Sequence, residues 1–385
     1  MNIIGIDATN IRAGGGLVHL LELLKHANPE RDDFSSVVIW ANKETLDSID
    51  DESWIVKKQC MFAENFLSRA LWQWLCLGKL IKQENCSILF SPGGSVLSSF
   101  EPTVTMSQNL IPFEWNEIKR YGLSFFSFKL ILLRFIQLHT FKKSSGVIYL
   151  TEYAKNIVTS KINTAKGMSD IISHGVDKRF FRKPKEQKLI STYSVNNPFV
   201  IIYVSPLEPY KHHVNVIRAI SILKKKGIPI FLELYGPSSR EFVNKALASE
   251  LQEHDSKSEF IRYYGSIDHS EIQKKFFSAD MAIFASSCET FGQTLIEGLA
   301  SGLPTACSDI SVMKELLGNN GAYFNPLEPD DIAKQLEVMI NSVRSRMDYA
   351  HGGYCLAKKY SWEKCAIETF FFIRQIVKYR KKSNG

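Results

Sequence analysis

The chain has 385 residues, a formal net charge of +7, 45% hydrophobic and 12% aromatic residues. That length exceeds one ordinary core and suits two folded domains, and the lack of an apolar run of roughly 18 residues argues against a transmembrane helix. The cysteines, Cys60, Cys76, Cys86, Cys288, Cys307, Cys355 and Cys365, form no C-x-x-C pair, so neither a disulfide framework nor a zinc site is expected and a reducing cytoplasm fits them. The moderate positive charge leaves nucleic acid, a membrane surface or an anionic substrate as partners. Of these, nucleic acid is the weakest, because no recognition helix, zinc finger or RNP-like pattern is present.

The N-terminus, Met1–Asp7, reads as a strand over 2–7 and not as a signal peptide, since it has no basic start and carries Asp7 early. Thr9–Gly16 then places three glycines before a helix near 17–27. Such a loop lets backbone approach a ligand closely, although it lacks the G-x-G-x-x-G spacing of a dinucleotide site. A plain flexible turn is the other reading, and Arg12 is a candidate anion partner. Strands follow near 37–41, 87–91, 102–106, 146–151 and 170–173, with helices near 65–83, 117–140 and 152–162. Two of these helices mix apolar residues with cations: Leu71, Trp72, Trp74, Leu75, Leu77 and Lys79 in one, and Phe125, Phe126, Phe128, Lys129, Arg134 and Phe135 in the other. They read either as core-facing stripes or as basic, aromatic faces for a membrane interface.

The charged stretch from Arg182 to Lys188, with the polar residues up to Pro198, is the linker candidate. Beyond it, strands near 199–204, 230–235, 260–264, 281–285 and 304–307 alternate with helices near 212–226, 239–252, 268–277, 293–301 and 330–343. The alternation argues for an α/β chain with parallel sheets in two Rossmann-like halves. Lys211 stands at the carboxyl end of one strand and near a helix start, where a cation would reinforce phosphate binding. Met281–Ala285 is a buried strand, and the run after Gly292 is helical until Gly302 and Pro304. Glu289 and Glu297 flank Gly292 eight residues apart, with Glu297 expected about two turns into that helix. In such a strand–loop–helix unit the helix-start amides seat a phosphate, and both glutamates would reach hydroxyls of the same ligand. Ser361–Arg380 reads as one closing helix, ending in the basic tail Lys378–Lys382.

The run from Glu289 to Pro304 resembles the E-x7-E segment of retaining glycosyltransferases of the GT-B fold, family 4 (glycosyltransferase group 1), and the resemblance extends over essentially the whole chain. It implies two Rossmann-like domains with parallel sheets facing across a cleft: residues 1–185 as the acceptor-binding domain, 186–360 as the nucleotide-sugar-binding domain, and 361–385 as a helix crossing back to the first. It further implies that Glu289 sits beside the donor sugar, that Glu297 accepts from ribose hydroxyls, and that the amides of Thr290, Phe291 and Gly292 face the pyrophosphate. Gln293 and Thr294 belong to the same donor segment. Lys211 becomes the phosphate lysine, with Ser205 on the same loop, Gly236 near the nucleotide base, and Gly15 and Gly16 near the donor phosphates. Glu289, Lys211 and Gln108 are the catalytic candidates. Asn10, Arg12, Gln108, Asn109 and His174 are the acceptor-side candidates.

Three departures from the family pattern stand out. Pro206 occupies the place of an arginine five residues before the lysine, Gln108 and Asn109 replace a histidine–aspartate pair, and His174 replaces an asparagine. Neither Gln108 nor Asn109 can act as a general base. The expected activity is transfer of a sugar, with retention, from a nucleoside-diphosphate-sugar to a sugar hydroxyl of a lipid-linked glycan in O-antigen or other surface-polysaccharide synthesis. No metal or other resident cofactor is implied, because no Asp-x-Asp ends a suitable strand and the nucleotide-sugar is itself a substrate. The expected place is the cytoplasm, with docking on the cytoplasmic face of the inner membrane left open. A nucleotide-sugar epimerase on the same frame and a non-catalytic nucleotide-sugar-binding subunit are the alternatives.

Overall fold

Residues 2–61, 65–162 and 166–383 are described by the computed structural model, and they form two α/β units. The first unit comprises Met1–Ile118, Gly122–Gly175 and Ser361–Gly385; the second comprises Lys119–Tyr121 and Val176–Tyr360.

In the first unit the strands are β1 (Asn2–Asp7), β2 (Phe34–Ala41), β3 (Ile55–Gln59), β4 (Ile88–Ser91), β5 (Thr103–Ser107), β6 (Gly146–Tyr149) and β7 (Met168–Ile171). They pair in parallel in the order β3-β2-β1-β4-β5-β6-β7. Every residue of β4, β5 and β6 is buried, as expected where helices cover both faces of a parallel sheet. The edge strand β3 was not foreseen. Its sequence, Ile-Val-Lys-Lys-Gln, is too short and polar to show a core pattern, and edge strands face solvent. The single helix expected over 117–140 is two, Trp115–Lys119 and Phe125–Lys143. Gly122 breaks it in the left-handed region at φ +61°, and Ser124 caps the second helix by accepting from the Ser127 amide at 3.2 Å. The helix expected over 65–83 runs from Phe66 to Gln83 with a π-helical stretch at Gln73–Leu77. The closing helix Trp362–Ser383 buries Phe370, Phe372, Ile373 and Ile376 within this unit. In its tail Lys378 and Arg380 pair with Asp33 and Glu101; the side chains of Lys381 and Lys382 lie outside the described ones.

In the second unit the strands are β8 (Phe199–Val204), β9 (Ile230–Tyr235), β10 (Ile261–Tyr263), β11 (Met281–Phe284), β12 (Thr305–Ser308) and β13 (Ala322–Phe324), in the parallel order β10-β9-β8-β11-β12-β13. The helix Ser311–Leu317, the strand β13 and the helix Val343–Ala357 escaped the sequence reading. The first two are short, and Gly352-Gly353 inside the third lowers its helical signal.

Each sheet has one topological switch point. The chain builds outward from β1 to β3, then returns to place β4 beside β1; likewise it builds from β8 to β10 and returns with β11 beside β8. At such a point the loops leaving the two central strands part in opposite directions and leave a crevice at the strand carboxyl ends, where ligands bind in open α/β sheets.

The crevice of the second unit depends on backbone closeness at Gly236. There φ is +147°, and a Cβ would lie 1.9 Å from the Ser205 carbonyl oxygen. Gly236→Ala is expected to destabilise the protein by about 3 kcal/mol or more, read as a lower urea midpoint at unchanged slope.

Candidate active site

The loop after β8 is shaped by main-chain bonds before any side chain acts. The Ser205 amide donates to the Tyr235 carbonyl and the Leu207 amide to the Pro237 carbonyl, both at 2.9 Å. The Lys211 amide donates to the Glu208 carbonyl at 2.9 Å, closing a tight turn over Pro209–Lys211. The Tyr203 hydroxyl donates to the Lys211 carbonyl at 2.7 Å. His212 follows in the left-handed region at φ +50° and begins the helix His213–Lys225; histidine is among the few side chains that tolerate that region. This turn fixes the direction in which Lys211 leaves the sheet.

Hydrogen bonds at Ser287 tie this loop to the one after β11. The Ser287 amide donates to the Tyr210 carbonyl at 2.8 Å, and His212 Nε2 lies 2.8 Å from Ser287 Oγ. The Lys211 ammonium then meets the Glu289 carboxylate. Their side chains are only 7% and 15% exposed, and the ammonium also lies over the rings of Phe284 and Tyr210, at 4.9 and 5.2 Å. Lys211 is thus a buried cation and not a surface lysine. A buried pair of this kind depends on both members, since losing one strands the other charge in a poorly solvated place.

Gly292 starts the next helix, Gln293–Ala300, at φ +86°, and a Cβ there would press on Met313 Cε at 3.2 Å. No side-chain hydrogen bond caps this helix start among the described residues, so it suits an anion. Thr290 and Phe291 are buried just before it. Glu297 lies one turn into the helix, not two: the helix begins at Gln293, where the sequence places it, and four residues span about one turn. Its carboxylate is buried and accepts from Gln293 Nε2 at 3.3 Å. Thr294 stands half-buried in the same first turn. Beyond Gly236, Tyr235 and Tyr264 stack with ring centres 4.8 Å apart and planes 7° from parallel, a flat platform of the kind a nucleotide base can extend.

Two histidines beside Lys211 are held neutral. Burial, with Arg120 nearby, brings His212 down to about 4. Burial, with Lys211 and His212 as neighbouring charges, brings His213 to about 3; His213 stacks on Tyr203 at 4.6 Å. Glu208, also on this loop, accepts from Tyr121 at 3.0 Å and from Arg240 at 2.6 Å. None of these neighbours has a sequence signature. Among the described residues Glu250, Glu253 and His254 converge closely enough to hold an ion, but Arg218 already occupies both oxygens of Glu250.

The remaining sequence candidates belong to the first unit. Gln108, after β5, donates towards His19 Nδ1 at 3.3 Å, and its Oε1 lies 3.6 Å from where a Gly16 Cβ would stand. His19 is fully buried, is brought down to about 4 by burial, and stacks on His174 at 4.8 Å. His174 in turn packs against Trp362 at 5.4 Å. The sequence reading missed His19, which sits mid-pattern in an amphipathic helix with no motif around it. A Cβ on Gly15 would meet nothing within 4 Å, so space alone does not demand glycine there. Asn10 Nδ2 donates to the Gly93 carbonyl at 3.2 Å, Asn109 Oδ1 accepts from the Ile111 amide at 3.0 Å, and Arg12 is exposed. Gln108, Gly16, His19 and His174 therefore form one cluster, while Asn10 lines the neighbouring crevice.

Residues 184–354, which carry Lys211, Glu289 and Glu297, match the family described as Glycosyl transferases group 1. This stretch is a group 1 glycosyltransferase domain. O-antigen chain mannosyltransferase B of Escherichia coli is 26% identical over 230 residues, 58% of this chain and 56% of that protein. The chain thus spans about half the length of the curated relatives it matches. Sucrose-phosphate synthase from Thermosynechococcus elongatus superposes with a TM-score of 0.77 at 14% identity, over 97% of this chain and 99% of that one. WaaG, a glycosyltransferase involved in lipopolysaccharide biosynthesis, gives 0.71 at 11% identity, over 96% and 99%. At such identities the likeness concerns the fold, which is GT-B: two α/β units, each with a parallel sheet.

Two outcomes follow for the group 1 domain. Glu289→Ala and Lys211→Ala should each lower stability by about 3 kcal/mol, and the double variant by much less than the sum, in a thermal double-mutant cycle. His212 binds its proton more weakly folded than unfolded, so its contribution is complete above pH 6.5 and is lost as pH falls towards about 4. His212→Asn, which keeps the left-handed turn, should make the fall in melting temperature over that window shallower.

Proposed function

We propose that the protein is a retaining, metal-independent glycosyltransferase of family 4. It moves a hexose-type sugar from a nucleoside-diphosphate-sugar to a sugar hydroxyl of a lipid-linked glycan, in O-antigen or other surface-polysaccharide synthesis on the cytoplasmic face of the inner membrane. The observation that carries this reading is the meeting of Lys211 and Glu289 at the switch point of the second unit, beside the start of the helix Gln293–Ala300. The names of the relatives, an O-antigen mannosyltransferase and a glycosyltransferase of lipopolysaccharide biosynthesis, support the pathway class.

Each residue then has a task. The donor pyrophosphate lies on the amides of Thr290, Phe291 and Gly292 and draws the Lys211 ammonium from Glu289 to itself. Glu289, released, accepts hydrogen bonds from the donor sugar, and Glu297 accepts from the ribose. As the anomeric bond breaks, negative charge grows on the leaving phosphate, where Lys211 and the helix-start amides already stand. Preorganised charge of this kind is commonly the largest contribution to catalysis. The leaving phosphate takes the acceptor proton on the same face, and no enzymic base is required. Gln108, an amide, orients the acceptor hydroxyl; Pro206 supplies no charge, which leaves Lys211 the principal cation on the phosphates. Asn10, Arg12, Asn109 and His174 are the acceptor-side residues.

The donor is tested by thermal shift with UDP, GDP, dTDP and CDP. One of them should raise the melting temperature by mass action, and no shift with any overturns the reading. With that donor, Glu289→Ala should cut product formation by about a hundredfold or more, measured against wild type by product chromatography. Unchanged turnover would remove Glu289 from the mechanism. Donor consumption that needs no acceptor would replace transfer with epimerisation.

A further inference from the structure

The first unit has its own crevice at its switch point. A cavity of about 200 Å³ opens there, lined from the loop after β1 by Asn10, from the loop after β4 by Gly93 and Ser95, and from two helices by Arg69, Lys129 and Gln137. Three buried polar atoms on its wall, Asn10 Oδ1, Ser95 Oγ and Gln137 Oε1, have no hydrogen-bond partner. Two of them are carbonyl oxygens, which call for donors such as sugar hydroxyls. No Asp or Glu lines the cavity among the described residues, and its cations, Arg69 and Lys129, both sit against the Phe66 ring. Arg12 adds positive potential, since Arg69 feels its charge. The carboxylate that Arg69 also feels, Asp7, is fully buried and held by Thr9 and Gln73, each at 2.6 Å. The π-helical stretch beginning at Gln73 brings that side chain onto Asp7. A second cavity of about 490 Å³ shares Leu97 with the first and continues past Trp74 to His139 and Lys143.

The same two helices carry an apolar stripe beside the cavity. Leu67, Leu71 and Trp74 follow helical spacing one position beyond Phe66, Ala70 and Gln73. Phe125, Phe128 and Phe135 do the same beside Lys129 and Ile136. All six are exposed, Trp74 by 67% and Phe128 by 62%. So many adjoining exposed large side chains mark a surface that is covered in use, and cations beside them favour an anionic amphiphile.

We propose that this crevice binds a lipid-linked sugar phosphate. Its hydroxyls meet Asn10, Ser95 and Gln137, its phosphate lies on Arg69 and Lys129, and its hydrocarbon runs along the Leu71–Trp74 and Phe128–Phe135 stripes. This rests on the proposed function and assigns its acceptor a site and a class. No helix among the described residues is long and apolar enough to cross a membrane.

The test uses the full chain with farnesyl monophosphate, farnesol and inorganic phosphate, below micelle concentrations, by calorimetric titration. Farnesyl monophosphate should bind about tenfold or more tighter than either of the others. Lys129→Gln and Arg69→Gln should weaken it several-fold while leaving the nucleoside diphosphate thermal shift intact. Leu71→Ser with Phe128→Ser should weaken it without changing phosphate binding. The site is overturned if farnesyl monophosphate fails to bind while a nucleoside diphosphate still stabilises the protein. It is equally overturned if farnesol or phosphate alone binds as tightly, or if neither cation matters. Loss of the nucleoside diphosphate response in wild type would instead count against the functional reading.

Discussion

A parallel sheet forces its connections to cross over, and where the crossing direction reverses, two loops leave neighbouring strands in opposite directions. In the second unit those strands are β8 and β11, and their loops deliver Lys211 and Glu289 to each other. The pair is buried, so its geometry has to be held by something stiffer than two long side chains. That stiffness comes from the backbone: the turn at Pro209–Lys211, the left-handed His212, the Ser287–Tyr210 main-chain bond and the glycine contact at Gly236. The neutral histidines belong to the same design, because protonated imidazoles beside Lys211 would add like charge to a poorly solvated cluster.

The first unit repeats the topology with different chemistry at its crevice. There the wall carries Asn10, Ser95 and Gln137 together with the cations Arg69 and Lys129, and exposed apolar side chains lie on the same two helices. One crevice is built around a buried ion pair, the other around amide and hydroxyl groups with two cations, and the asymmetry lies in the side chains and not in the sheets.

The legible parts of the fold were the largely buried strands. β8, β9 and β11 are apolar runs such as Phe-Val-Ile-Ile-Tyr-Val, short enough and bounded by turns as a covered parallel sheet requires. The illegible parts were those where burial is partial: β3 at an edge, β13 with three residues, and the glycine-bearing helix Val343–Ala357. The break at Gly122 was hidden because apolar residues continue on both sides of it. In the site, Lys211 and Glu289 were visible because each stands at a strand–helix junction, and Glu297 because it follows Glu289 by eight residues across Gly292. His19 and Ser287 were not, because their importance lies in a partner far away in sequence.

The sequence by itself determined the α/β class, the parallel sheets and the residues at the junctions, since these follow from apolar periodicity and from glycines and prolines acting locally. Only the tertiary structure decided that Lys211 is buried and paired with Glu289, and that Gln108 rests on His19. It also decided how the apolar residues of the two first-unit helices divide: Trp72 and Leu77 turn into the core, whereas Leu71, Trp74, Leu75, Phe125, Phe128 and Phe135 face outward. Burial and pairing depend on which strands become neighbours. That is fixed by how the crossovers close and not by any short stretch of chain.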